Sequence, residues 1–227
     1  MRKKVASSLF TAGPWPKAWS SSALVRSTVE FVELVRTRRM TRSFTTTPVP
    51  YDLLEHCVDL GIRAPSAGKS QGWHLLILTG SETSRYWNIA FPAERREGFA
   101  YPGLFAAPVI ALVLADEQAY LDRYSESDKQ HTGLGESPTA WVAPYWTIDA
   151  SFSTMTFLLA LHDVGIGALF FAHAEEKSLR HEFHIPPSVH ILGTIALGYE
   201  SGDTVQEGRS AKRPFRSASS VIHRGRW

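Results

Sequence analysis

The sequence predicts a protein of the α/β or α+β class with a mixed central sheet. Three observations predict it. Four apolar runs read as strands: His74-Leu-Leu-Ile-Leu-Thr79, Pro108-Val-Ile-Ala-Leu-Val-Leu-Ala115, Ala168-Leu-Phe-Phe-Ala172 and Val189 to Tyr199. The first two are apolar throughout, as strands covered on both faces are. Segments with helical spacing alternate with these runs, the pattern of helices packed on a sheet. The 227 residues, 44% of them apolar, supply ample core for one large domain or two small ones.

The elements follow in chain order. Met1-Arg-Lys-Lys-Val-Ala-Ser-Ser-Leu-Phe resembles the start of a signal peptide, but its apolar part is short and is broken by Gly13, Pro14 and Pro16. Residues 1–26 are therefore expected to be a flexible extension or an upstream start of translation, and residues 27–227 the folded domain. Ser27-Thr28-Val29-Glu30 is a capping box that opens a helix with Phe31, Leu34 and Val35 on one face. That helix delivers Arg36, Arg38 and Arg39 to its end. Residues 45–50 form an extended connector, because a residue before proline is pushed out of the helical region. Pro50 suits the first turn of a helix over about 51–63, with Leu53, Leu54, Cys57, Val58 and Ile62 inward.

A loop of small residues, 64–73, leads into the first strand. A short helix is expected over 81–91 and irregular chain over 92–107. Residues 116–137 are polar, and a structureless loop of that length is a lid, a binding segment or disorder, so mobility is expected. Gly133-Leu-Gly135 is not preceded by a strand, which rejects a dinucleotide fingerprint. Tyr145 to Val164 is the longest helical pattern, apolar round most of its circumference, and should be a central buried helix. Asp149 near its start is a helix-start acid favoured by the dipole or a polar group facing a site. Gly165 and Gly167 end that helix. A short helix over 175–183 stops at Pro186-Pro187.

Composition excludes several functions. A net charge of +2 gives no bulk field for nucleic acid. No stretch is long enough to span a bilayer. One cysteine, Cys57, excludes an internal disulfide, and among Leu53, Leu54 and Val58 it reads as a small buried hydrophobe. A cytoplasmic location is expected. His181, His184 and His190 come without a carboxylate or cysteine pattern, so no metal is expected.

The chemistry is concentrated in Arg36-Thr37-Arg38-Arg39-Met40-Thr41-Arg42. Four guanidiniums in seven residues are either a phosphate site or a solvated basic helix end. The loop Ala64-Pro-Ser-Ala-Gly-Lys-Ser-Gln-Gly-Trp73 either lets a ligand approach its backbone or merely connects helix to strand. The tail carries Arg209, Lys212, Arg213, Arg216, Arg224 and Arg226. It either closes on the same phosphate or is solvated.

Four pieces, in order, resemble the nitroreductase family of FMN-dependent oxidoreductases. Arg38-Arg39-Met40-Thr41-Arg42-Ser43-Phe44 is similar to the family's N-terminal phosphate motif, with Met40 where the family has Ser. Residues 64–73 are similar to its second motif, with Lys69 for Asn and Gly72 for Pro. Val164-Gly165-Ile166-Gly167 is similar to its glycine segment after the long helix. Gly198-Tyr199, followed by Lys212-Arg213-Pro214, is similar to its closing strand and second phosphate cluster. The resemblance runs from about Thr28 to the C-terminus.

It implies an α+β fold, a three-layer α/β/α arrangement with a mixed central β-sheet, and FMN at a homodimer interface. Arg38, Arg39, Arg42 and Arg213, with Lys212 close by, would hold the phosphate, and Met40 would offer only its backbone N–H. The partner's Pro65, Ser66, Ala67 and Lys69 would approach the flavin ring. Phe170, Phe171 and Ala172 would lie near N5, and Asp149 would fall where the partner's long helix reaches the ring edge. Hydride would pass from NAD(P)H to a nitroaromatic, quinone or similar acceptor, with no obligatory catalytic side chain and with Lys69 tuning the ring. Reductive dehalogenation or flavin destruction under a lid formed by 116–143 is the alternative within the fold. A non-catalytic phospho-ligand module is the alternative outside it.

Overall fold

The computed structural model describes residues 30–202, 208 and 210–227. The predicted extension 1–26 and the capping residue Ser27 lie outside them. Six α-helices and four strands are built from these residues: α1 (Phe31–Thr37), α2 (Tyr51–Gly61), β1 (Trp73–Thr79), α3 (Ser81–Ala90), β2 (Val109–Asp116), α4 (Gln118–Tyr124), α5 (Tyr145–Asp163), β3 (Gly167–Phe171), α6 (Glu176–Glu182) and β4 (Val189–Gly198).

The sheet runs β1-β2-β4-β3, and every pairing in it is antiparallel. The expectation of a mixed sheet is corrected here. Alternation of helix and strand favours parallel crossovers only when each connection returns the chain to the same end of the sheet. Here α3 and the irregular chain after it lead from β1 into an antiparallel neighbour, and α6 does the same between β3 and β4.

The central strand β2 alternates between two cores. Val109, Ala111, Val113 and Ala115 join Cys57, Phe157 and Leu161 on the face covered by α2 and α5. Ile110, Leu112 and Leu114 join Tyr86, Trp87 and Leu179 on the face covered by α3 and α6. This period of two is why the whole run is apolar: both faces of the strand are covered. Several buried polar groups within these layers are paired internally, although the buried Trp87 indole N–H finds no partner among the described residues. The Trp73 indole N–H donates to Thr154 Oγ1 at 3.2 Å, and the Tyr86 hydroxyl donates to Thr194 Oγ1 at 2.9 Å.

Gly193 in β4 sits at a close approach inside the sheet layer. A Cβ there would stand 2.6 Å from the Phe170 ring and 2.9 Å from the Phe171 carbonyl. Gly193→Ala is therefore expected to destabilise the protein by about 1–3 kcal/mol, the usual cost of overpacking. A thermal melt unchanged from the parent would contradict that packing.

Two expectations about helices differ. α1 buries none of its residues: Phe31 is 70% exposed, and Val32 and Val35 are exposed too. On α5, Phe152 and Met155 face outward, so the helix is buried on one side only. α1 packs against α5. Together they present exposed apolar side chains that nothing among the described residues covers.

The polar segment after β2 is also not structureless. It contains α4 and two 3₁₀ turns, and its fixed point is Trp141. The indole packs against the rings of Tyr120, Tyr124, Tyr145 and Trp146 and donates to the Leu134 carbonyl at 2.8 Å. Aromatic burial of this kind replaces the apolar periodicity that a sequence reading looks for.

Candidate functional site

The arginine-rich stretch leaves α1 at Arg38 and runs along the outer edge of β3. Thr41 N–H donates to the Ala168 carbonyl at 2.9 Å, and Thr45 N–H to the Tyr199 carbonyl at 2.8 Å. Thr41 is buried, and a Cβ on Gly167 would stand 2.6 Å from its hydroxyl, so a glycine is needed where the two segments touch. Beside this contact lies a cavity of about 210 Å³. Its walls carry Arg38, Arg39, Thr41, His162 and Glu200, together with residues 165–168.

The arginines are not equivalent. The Arg39 guanidinium grips both oxygens of Glu200, one at 2.6 Å. Arg42 turns away, donating to the Met40 carbonyl at 3.1 Å and lying over the Tyr101 ring at 5.4 Å. The backbone of Gly208 lies against the Arg42 guanidinium, so the tail does return to this motif. Lys212 and Arg213 are exposed, and Arg209 lies outside the described residues. Arg38 is half-buried on the cavity wall, and its guanidinium makes no ion pair among the described residues.

His162 faces the same cavity from the last turn of α5. Its Nε2 lies 3.0 Å from Thr37 Oγ1. Burial, then the charges of Arg38 and Arg39, push its pKa below the usual histidine value, against a smaller opposite effect of Asp163. Sequence spacing gave no sign of this residue. Only the packing of α1 on α5 brings it to the arginines.

The loop before β1 is held from two sides. Gly68, Lys69 and Gln71 have φ of 59°, 59° and 53°, a region that non-glycine residues enter only when their surroundings hold them there. Asp149, 6% exposed, accepts the Ala67 N–H at 2.7 Å and the Tyr120 hydroxyl at 2.9 Å, both on Oδ2. The Tyr120 pKa is raised, first by burial and then by that bond to Asp149. From the other side, Arg123 Nε donates to the Gly68 carbonyl at 2.8 Å. The same guanidinium grips Asp128 at 2.7 and 2.8 Å and holds that carboxyl down at about 2. Ser66 Oγ accepts the Gln71 N–H at 3.1 Å.

Pro65 and Lys69 are exposed on this loop, while Ser66 and Ala67 are half-buried. A second cavity of about 190 Å³ is lined by Ser66, Gln71, Trp73, Tyr120, Asp149 and Ser153, among others. Asp149 thus hydrogen-bonds the loop of its own chain. Tyr120 and Arg123 were missed in the sequence because they sit in the segment read there as structureless.

At the end of β3, Phe170 packs over Gly193 on the α5 face and Phe171 stacks on Trp87 on the opposite face, with ring centroids 6.0 Å apart. Ala172 is exposed. Cys57 is fully buried, and burial, followed by the charge of Asp163, pushes its thiol up to about 12. It is inert as a nucleophile.

Residues 35–199 match the model of the nitroreductase family. The chain belongs to the nitroreductase family. Membership makes it an oxidoreductase. A protein of Archaeoglobus fulgidus named NADH dehydrogenase/NAD(P)H nitroreductase is 26% identical over 205 residues, covering 87% of this chain and 99% of its own. Solved structures agree in fold. A nitroreductase family protein from Streptococcus pneumoniae superposes with a TM-score of 0.66 at 18% identity, over 86% of this chain and 99% of that one. Nitroreductase CinD from Lactococcus lactis, solved with nicotinic acid, gives a TM-score of 0.61 at 19% identity, over 83% of this chain and 100% of that one. Among the described residues no helix is long and apolar enough to cross a membrane.

Proposed function

We propose that the protein is an FMN-dependent, NAD(P)H-oxidising reductase of nitroaromatic, quinone or similar small acceptors. The observation that carries this is Arg38: a half-buried guanidinium without an ion partner among the described residues, on the wall of a cavity in a nitroreductase fold. Such a group is an anion receptor, because its planar fork matches phosphate oxygens. The donor set fits the phosphate of FMN, and Arg38 would hold it together with the N–H groups of the surrounding backbone. Arg39 and Arg42 would support it, Arg39 through the ion pair with Glu200 and Arg42 through the returning tail. FMN, when bound, supplies hydride acceptance from NAD(P)H and hydride delivery to the acceptor.

The chain's own work is to bind, orient and tune. The 64–73 loop, with Pro65, Ser66, Ala67 and Lys69, is the proposed ring-facing surface, and its fixed turn presents the Lys69 side chain outward. The proposed partner of that loop is a second copy of the chain. Phe31, Val32 and Val35 of α1 and Phe152 and Met155 of α5 form an exposed apolar face that a homodimer would cover. Lys212 and Arg213, on the exposed tail, are proposed to reach the phosphate in that assembly.

Steady-state rates measured at several concentrations of 4-nitrophenol and NADPH test the reading. Parallel double-reciprocal lines are expected, because donor and acceptor use the site in turn. Absence of turnover with nitroaromatics and quinones alike would overturn it. Lys69 is proposed to stabilise the negative charge that the ring gains on reduction. Lys69→Asn is expected to lower the flavin midpoint potential by tens of millivolts, since about 1.4 kcal/mol corresponds to roughly 30 mV for a two-electron couple. FMN affinity should change little. An unchanged potential would place Lys69 in solvent.

A further inference from the structure

The hydrogen bonds around His162 are all satisfied in one of its two tautomers. Thr37 has one hydroxyl proton, and it is donated to the Glu33 carbonyl at 2.8 Å. Both bonds of the hydroxyl are made together only when it accepts from His162, with Nε2 at 3.0 Å as the N–H donor. In the neutral ring Nδ1 is then a bare lone pair. The ring lines the cavity that also carries Arg38 and Arg39. Two elements thus hold a histidine on the cavity wall, and the tautomer that satisfies both bonds leaves Nδ1 unprotonated.

We propose that His162 is a further ligand of the phosphate group, and that it takes up a proton at Nδ1 when the phosphate binds. This rests on the reading of the cavity as the FMN phosphate site and deepens it. The proton comes from solvent and forms an N–H bond at Nδ1. The imidazole becomes imidazolium and nothing is oxidised or reduced.

The charges around the ring make the coupling work. α1 and the residues after it bring Arg38 and Arg39, which disfavour a third cation. α5 brings Asp163, which favours it more weakly, and the chain after β4 brings Glu200, already committed to Arg39. Residues 165–168, which line the cavity from the β3 side, bring no titratable group. The free ring is thus neutral at pH 7. A phosphate dianion placed among these groups reverses the local field and favours the charged ring. The complex then binds more protons than the free protein. Affinity therefore rises as pH falls through the pKa of His162 in the complex. It stops rising once pH is below the value in the free protein, which itself lies under the ordinary 6.5.

The test is calorimetric titration of the apoprotein with FMN at pH 7.5, in two buffers of different ionisation enthalpy, with riboflavin as the ligand lacking phosphate. FMN should take up a sizeable fraction of one proton and riboflavin none. The phosphate's own second ionisation, near pH 6 for phosphate monoesters, releases protons on binding in every variant. The parent is therefore compared with His162→Gln, whose side-chain amide still donates to Thr37 but does not titrate. Between pH 8 and 6, FMN affinity of the parent should gain up to about tenfold per pH unit relative to the variant, the limit for one coupled proton. Equal proton counts and parallel pH profiles, with FMN bound by both proteins, would overturn the role of His162 and leave the phosphate cavity standing. Failure of both proteins to bind FMN at any pH would overturn the phosphate reading and this inference with it.

Discussion

Replacing Arg38 with alanine is expected to weaken FMN binding by about 1–3 kcal/mol, the scale of a charge-assisted hydrogen bond. That is roughly 5- to 150-fold in Kd. The structure sets this residue apart from the other arginines of the motif. Arg39 already spends its fork on Glu200, and Arg42 spends its own on the Met40 carbonyl and the Tyr101 ring. Arg38 has no such partner among the described residues and lines the cavity. Arg39→Ala should cost less directly, and it frees Glu200 to repel the anion. Fluorescence titration of the apoproteins with FMN and with riboflavin checks this. The loss should appear with FMN and be small with riboflavin. Equal retention of FMN by Arg38→Ala and the parent would remove the phosphate from this cavity.

The second large effect is at Asp149. Asp149→Ala leaves the Ala67 N–H and the buried Tyr120 hydroxyl without their acceptor. Each orphaned donor costs about 1–3 kcal/mol, so a loss of about 2–6 kcal/mol is expected, at roughly 2–4 °C in Tm per kcal/mol for a chain of this size. Asp149→Asn keeps a carbonyl oxygen at the same place and should recover most of it. Thermal melts of the two variants decide. If alanine and asparagine melt together near the parent, Asp149 does not hold the loop. The loop itself should loosen in Asp149→Ala, because its left-handed residues Lys69 and Gln71 depend on outside support.

Much of this was legible in the sequence, for reasons that differ by element. The apolar run of β2 was plain because both faces of that strand are covered, so no polar residue interrupts it. The edge strand β1 was plain from its Leu-Leu-Ile-Leu run, although it is only partly buried and carries the exposed His74. α2 began where Pro50 placed it and α5 where its pattern began, at Tyr145. Strand direction was not legible: an antiparallel sheet with helices on both faces leaves the same alternation of patterns as a mixed one. α4 was hidden because one seven-residue helix with a single buried ring, Tyr120, has no period to detect.

At the site, the arginine motif announced itself through its charge. Which arginine lacks an ion partner among the described residues did not, since that depends on Glu200, 161 residues away from Arg39. Asp149 was visible as an acid on an apolar helix, yet its partners Ala67 and Tyr120 come from two other segments. His162 had no signal at all. Its hydrogen bond to Thr37 spans 125 residues and exists only because α1 lies across the end of α5.

The measurement that bears most directly on the central claim is the visible absorption spectrum of the purified protein, reconstituted with FMN and then mixed anaerobically with NADPH or NADH. Flavin bands that remain with the protein through gel filtration and bleach with one of the two nucleotides are the predicted result. A protein that stays colourless after incubation with FMN, or whose bound flavin bleaches with dithionite but with neither nucleotide, would contradict it.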